Sequence, residues 1–109
     1  MKSVLFALTL IIAPFAFAET NTELAGDCKP AVEQAISEIG GESAATVEEV
    51  YEINGNKIVV GYMLESEENM LTGEAEIVLK NVTEVPRNRK NYLIKCDVVS
   101  ATIIDERAD

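Results

Sequence analysis

The chain has 109 residues, two Cys, no His and a formal net charge of −10. This length fits one domain, and the negative charge excludes nucleic acid and anionic membrane surfaces as partners because both would repel it. Without His, the usual general base near neutral pH and the Ser-His and Cys-His nucleophile pairs are missing. Cationic proteins and metal ions remain compatible with the charge, which could also serve solubility alone.

The first 18 residues have the pattern of a cleaved secretory signal peptide. Lys2 precedes an apolar run at residues 4–12 (VLFALTLII), and Pro14 leads to Ala16-Phe17-Ala18, with small residues at the cleavage positions. An uncleaved membrane anchor is the alternative, but the run is too short to span a bilayer. We therefore expect export to the periplasm, or extracellular release, with no membrane insertion after cleavage. The mature chain would keep 19 acidic and 8 of the 9 basic residues, a formal charge of −11.

Cys28 and Cys96 would be the two cysteines of an exported chain. In an oxidising compartment an even pair predicts a disulfide. The alternative is a redox-active pair, which usually has the Cys-x-x-Cys spacing that is absent here.

Residues 19–26 are polar and predict a flexible leader before a single α+β domain at residues 27–104. An amphipathic helix is predicted to follow Asp27, which would cap it, with Pro30 in its first turn and Gly40 as a left-handed stop. Its apolar residues recur at the spacing of one helical face: Ala31, Val32, Ala35, Ile36 and Ile39.

Residues 46–65 predict a β-hairpin, because Asn54-Gly55 favours a two-residue type I′ turn. Gly55 should then tolerate substitution less well than Gly73. This register would bury one face of the hairpin: Val47, Tyr51, Ile53, Ile58, Val60, Tyr62 and Leu64. Val50, Val59 and Met63 would lie on the wet face, as a candidate interaction surface or as ordinary isolated surface residues.

A third strand is predicted at residues 74–82, a loop broken by Pro86 at residues 83–90, a fourth strand at residues 91–104 and a charged tail at residues 105–109. Arg87, Arg89 and Lys90 form the basic cluster of the sequence, which could contact an acidic partner or balance neighbouring carboxylates. The expected fold is one N-terminal amphipathic helix packed on a curved four-stranded antiparallel sheet.

No pattern of residues predicts catalysis or a bound metal. Glu48-Glu49 would point to opposite faces of a strand, and Glu67-Glu68 lie in a predicted turn, so neither is a prepared acid/base couple. The acidic turn at residues 65–69 lacks the spacing of a calcium loop. We expect a non-enzymatic protein without catalytic residues, metal ligands or cofactors.

The order of a helix before four strands, with Lys57-Ile58-Val59-Val60-Gly61 in the hairpin, resembles the cystatin arrangement. In that family a Gln-x-Val-x-Gly hairpin tip enters the cleft of papain-like cysteine proteases. Val59 and Gly61 match this motif and Lys57 replaces its Gln. The resemblance implies a related fold and an inhibitory function.

The leading expectation is therefore a protein-binding or accessory module that uses an exposed strand edge or sheet face. The alternatives are an inhibitor of an exported hydrolase, either cystatin-like or an acidic inhibitor of a cationic enzyme, and a small-ligand carrier. A pocket lined by Tyr51, Tyr62 and Tyr92 would favour the carrier, and a protruding hairpin tip would favour the inhibitor.

Overall fold

One helix and five strands form the regular structure of the described residues, which in the computed structural model are 18–41, 44–67 and 70–108. The elements are β1 (Thr22–Leu24), α1 (Cys28–Ile39), β2 (Ala44–Asn54), β3 (Lys57–Glu65), β4 (Met70–Arg87) and β5 (Lys90–Ala108). Residues 1–17, which hold nearly all of the predicted signal peptide, lie outside the described residues.

The sheet has the strand order β1-β5-β4-β3-β2, and β1 runs parallel to β5 while the other neighbours are antiparallel. The prediction of four antiparallel strands is therefore wrong. The additional strand lies in the segment expected to be a leader, where Asn91 donates its N–H to the Asn21 carbonyl and Ala25 donates to the Leu93 carbonyl, both at 2.9 Å. A three-residue strand held by such backbone bonds leaves no periodic pattern in its side chains.

Helix α1 packs on the sheet through part of the predicted apolar stripe: Val32 and Ile36 are fully buried, whereas Ile39 is 47% exposed. Gly41 has a φ of 89° and supplies the left-handed conformation after the helix, whereas Gly40, predicted for that role, has a φ of −82°. The Cys28–Cys96 disulfide joins the start of α1 to β5, as predicted. The coarse prediction of an α+β protein with one helix on a sheet and one disulfide is confirmed.

The hairpin between β2 and β3 forms, but its turn lies one residue later than predicted. Asn54 pairs with Lys57 and Ile53 with Ile58, so Gly55 and Asn56 are the two turn residues. Gly55 has a φ of 69° and Asn56 has no positive φ, as in a type II′ turn with Gly at its first central position. The type I′ turn at Asn54-Gly55 is therefore a wrong prediction.

Two irregularities in β2, one between Val47 and Glu49 and one between Val50 and Glu52, change which side chains face the core. Val50 pairs with Val60 and is only 1% exposed. Each bulge adds a residue to one strand, and so reverses the inward and outward alternation that period-2 reasoning assumes.

Strands β4 and β5 form a long hairpin that replaces the loop predicted at residues 83–90. The turn consists of Asn88 and Arg89, whose φ angles of 48° and 68° are those of a type I′ turn. β4 has a register shift between Lys80 and Thr83, within which Asn81 has a φ of 54° and donates from Nδ2 to Oδ2 of Asp97 at 2.7 Å. The sheet therefore continues well beyond the predicted third strand.

Candidate functional site

The outer edge of β2 is occupied by other parts of the chain. The backbone N–H and the hydroxyl of Thr20 both donate to the Val50 carbonyl, at 2.9 and 3.0 Å. The Val47 N–H donates to Oε2 of Glu33 on α1 at 2.8 Å. With its two bulges and these internal partners, this edge is a poor template for a strand of another protein.

The far half of β4 presents an open edge on the side where β3 would lie. β3 begins at Lys57, which pairs with Val78, and the Leu79 N–H donates to the Asn56 carbonyl at 2.8 Å. Beyond Leu79, the described residues pair β4 with β5 alone. β4 continues to Arg87, so its last eight residues have a strand on one side only.

The bonds between β1 and β5 show which backbone groups point to this open edge. Glu84 pairs with Leu93, whose carbonyl accepts from Ala25 and therefore points away from β4. Glu84 and Leu93 are therefore a non-hydrogen-bonded antiparallel pair, in which each residue directs its backbone N–H and carbonyl away from the other strand. The N–H and the carbonyl of Glu84 thus face outward, toward the side that β3 leaves empty.

Pro86 follows the same rule. It pairs with Asn91, whose N–H donates to Asn21 on the opposite side. The nitrogen of Pro86 therefore faces the open edge, where its missing N–H costs no ladder bond. The edge offers one donor and two acceptors at these two residues: the N–H and carbonyl of Glu84 and the carbonyl of Pro86.

A pocket of about 380 Å³ lies beside this edge, between β4 and the Gly55-Asn56 turn, and we call it the β4 notch. Its apolar lining is Ile53, Ile58, Leu79, Val82 and Leu93. Ile53 and Val82 are 42% and 40% exposed, so two large apolar side chains lie at the surface beside the same pocket. Lys80, Asn81 and Glu84 contribute polar groups to the same pocket.

The predicted basic cluster lies at the end of the β4–β5 hairpin. The Arg87 guanidinium lies over the Tyr92 ring, 5.7 Å from its centroid. Lys90 forms an ion pair with Glu23 of β1, and the hydrogen bond and charge of Glu23 raise the pKa of Lys90. Arg89 is an exposed turn residue.

The other three residues of the candidate interaction surface lie elsewhere. Val50 is in the core and Val59 is also buried, so their predicted exposure is wrong. Met63 is half-buried. The residues that resemble the cystatin motif, Val59 and Gly61, are buried within β3 between two neighbouring strands and form no hairpin tip.

The three tyrosines proposed for a carrier do not share one pocket. Tyr51 and Tyr62 line a pocket of about 220 Å³ with Glu48 and Glu74, whereas Tyr92 lies under Arg87. One oxygen of Glu74, Oε1, is buried without a hydrogen-bond partner there. Among the described residues, no three His, Cys, Asp or Glu side chains are grouped to hold a metal ion.

A second groove, of about 430 Å³, separates α1 from β5. Its lining includes Ile39 and Val99, which are exposed, small side chains, Val98, and the polar side chains of Gln34 and Glu38. β1 pairs with β5 only at residues 91–93, so this part of β5, like the far half of β4, has a strand on one side only. The groove differs from the β4 notch in its lining, which includes side chains of α1.

The disulfide indicates a non-reducing compartment. Within the residues that the structure describes, no helix has the length and hydropathy needed to cross a membrane. No family model, no curated protein and no solved structure matches this chain.

Proposed function

We propose that this chain is a small exported, non-enzymatic binding module of the periplasm, which holds another protein at the open edge of β4. The observation that carries the proposal is the outward-facing backbone of Glu84 beside the apolar β4 notch. Addition of a strand to an exposed sheet edge gives affinity through backbone hydrogen bonds, and an adjacent pocket gives specificity through a side chain.

A comparison with the edge of β2 supports the choice of β4. Thr20 and Glu33 satisfy backbone groups of β2, whereas residues 80–87 of β4 keep their outer side open. Lys80, Pro86 and the register shift between Lys80 and Thr83 are features that limit random pairing of an edge strand. We expect a partner to use the backbone groups that remain, which are the N–H and carbonyl of Glu84 and the carbonyl of Pro86.

Site-specific photo-crosslinking tests the position of the partner. A photoreactive amino acid in place of Val82, in the mature oxidised domain, should give one predominant adduct in periplasmic extract. The same residue in place of Thr102, an exposed position of β5, is the matched control and should give none. Equal adducts at both positions, or none at Val82, would contradict the proposal.

A pair of variants at Glu84 tests whether the backbone edge itself is used. Glu84→Pro removes the outward N–H without breaking a bond to β5, as Pro86 already does, and Glu84→Gln removes the charge but keeps the N–H. Capture of the partner should fall in Glu84→Pro and persist in Glu84→Gln. Equal capture by both variants would show that the edge does not pair with the partner.

An inhibitor of an exported hydrolase is the second candidate, because the β4–β5 hairpin extends beyond Lys57, the first residue of β3, and the turn of this hairpin is exposed. Its test is the identity and activity of the captured protein. A hydrolase whose activity falls at a one-to-one ratio with the domain would support inhibition. An unchanged activity would leave the module as an accessory protein.

A further inference from the structure

The positive charge of this protein is concentrated beside the β4 notch. Five of the nine Lys and Arg residues lie within residues 80–95, which we call the arm, and this segment has one acidic residue, Glu84. The arm therefore has a formal charge of +4, and the remainder of the chain, with its total of −10, has −14. Positive charge is thus concentrated in the arm and negative charge in the remainder of the chain.

The cations of the arm differ in what they contact. Lys90 is already paired with Glu23, whereas Lys80 lines the notch and Arg87 lies on the Tyr92 ring. Arg89 occupies the second position of a type I′ turn with a φ of 68°, where Gly is preferred and a larger residue is disfavoured. An Arg at this position costs conformational energy and keeps a cation at the end of the hairpin.

Building on the proposed function, we infer that the β4 notch takes an extended acidic segment of a partner protein. One apolar side chain of that segment enters the notch, its backbone pairs with Glu84, and flanking carboxylates face Lys80, Arg87 and Arg89. A carboxylate suits these positions because Arg binds it bidentately, with two parallel hydrogen bonds.

The negative charge of the remaining surface favours a short acidic peptide over a long polyanion as the ligand of the β4 notch. At physiological ionic strength charges interact over about 8 Å, whereas the molecule measures 53 × 36 × 25 Å. Glu23 pairs with Lys90 and Asp97 lies opposite Lys80, so a short peptide at the arm experiences a positive charge smaller than +4. A nucleic acid or an anionic bilayer would also meet the −14 of the remainder. A second copy of the chain would bring the same repulsion.

Selection from a displayed random peptide library on the oxidised domain tests this inference. The peptides enriched should carry Asp or Glu on either side of one large apolar residue. Binding of the best synthetic peptide should weaken as salt rises from roughly 50 to 300 mM. In a nitrogen-proton correlation spectrum, its addition should shift the amide signals of Val82 and Glu84. Enriched peptides without acidic residues, no enrichment, or shifts confined to other surfaces would overturn the inference.

Two double variants with equal changes in net charge provide the control. Arg87→Glu with Arg89→Glu should weaken peptide binding about tenfold or more, since a charge-assisted contact is lost at each position. Lys29→Glu with Arg107→Glu, outside the arm, should leave it within about twofold. Equal losses in both would show a general charge effect and refute the assigned contacts.

The outcomes separate this inference from the proposed function. A partner that crosslinks at Val82 while the selected peptides lack acidic residues would refute the acidic segment and leave the binding module standing. No adduct at Val82 would refute both. Binding to phosphatidylglycerol vesicles that depends on Arg87 and Arg89, in the absence of peptide enrichment, would assign the arm to an anionic membrane and overturn the peptide.

Discussion

The hydroxyl of Tyr62 donates a 2.7 Å hydrogen bond to Oε2 of Glu106, across the sheet from β3 to β5. Tyr62 is 1% exposed and its ring lies against Gly73 of the intervening strand, β4. A side chain at position 73 would occupy the space of the phenol. The contact thus depends on a glycine in β4 as much as on the two residues that form it.

The free energy of unfolding should depend on the proton of Tyr62. Burial, and then the hydrogen bond and charge of Glu106, raise the pKa of Tyr62 well above its ordinary value of 10.0. Above pH 10 the unfolded chain releases this proton while the folded chain retains it. The stabilisation is thus complete below pH 10 and is lost as pH rises, by up to about 1.4 kcal/mol per pH unit. Urea unfolding between about pH 9 and pH 11 measures this slope, and Tyr62→Phe should reduce it. An unchanged slope in Tyr62→Phe would exclude this proton as its source.

Gly73→Ala should destabilise the protein more than Gly55→Ala, which reverses the ranking expected from the sequence. A Cβ at position 73 would lie 2.4 Å from the Asp105 carbonyl oxygen and 2.7 Å from the Tyr62 hydroxyl, so the backbone must shift. Such overpacking costs roughly 1–3 kcal/mol or more. A Cβ at position 55 meets no atom within 4 Å, and the cost there is the positive φ, about 1 kcal/mol. Thermal melting of both variants gives the order, and a higher melting temperature for Gly73→Ala would contradict the close approach.

Replacement of both cysteines by Ser should lower the free energy of unfolding by about 4 kcal/mol. The bridge closes a loop with a sequence separation of 68, and long loops lose the most chain entropy when they are closed in the unfolded state. Urea unfolding of the double variant measures the loss, and wild-type protein under reducing conditions is the matched comparison. Coincident transitions for oxidised and reduced wild type would show that the bridge does not stabilise the fold.

Val50→Ala and Val99→Ala compare one substitution at two valines that the sequence alone does not distinguish. Val50 is 1% exposed and packs in the core, so its truncation should cost roughly 2 kcal/mol. Val99 is 56% exposed, and its truncation should change the free energy of unfolding by less than about 0.5 kcal/mol. A cost below about 0.5 kcal/mol at Val50 as well would contradict its burial and the observed register of β2.

The features found from the sequence are those with a local or compositional signal. Helix α1 follows from its apolar spacing and its terminal glycines, and the Cys28–Cys96 bridge follows from an even number of cysteines in a chain that is expected to be exported. The hairpin between β2 and β3 follows from Gly55 and its β-branched flanks. Its register could not be predicted, because Asn54-Gly55 and Gly55-Asn56 are both favourable turns and the bulges in β2 leave no mark on residue type.

Most of the candidate site could not be predicted from the sequence. Pro86 suggested a loop because proline cannot donate to a ladder, yet its nitrogen faces the open edge and no ladder bond is lost. The basic cluster was visible in the sequence, but the β4 notch exists only because β3 begins at Lys57 while β4 continues past its neighbour. Where β3 begins relative to β4 depends on the register of the sheet, and this register could not be predicted from the sequence.

The parallel pairing of β1 with β5 also constrains the order in which the molecule can assemble. β1 pairs with β5, the last strand, and Cys28 can form its disulfide only when Cys96, 68 positions later, is present. A chain delivered amino terminus first, from a ribosome or through a membrane channel, therefore holds β1 unpaired and Cys28 as a free thiol until residues 90–96 have followed. Contacts between such distant parts of a chain form slowly. Completion of the sheet is thus a late event, which requires that residues 90–96 have been delivered.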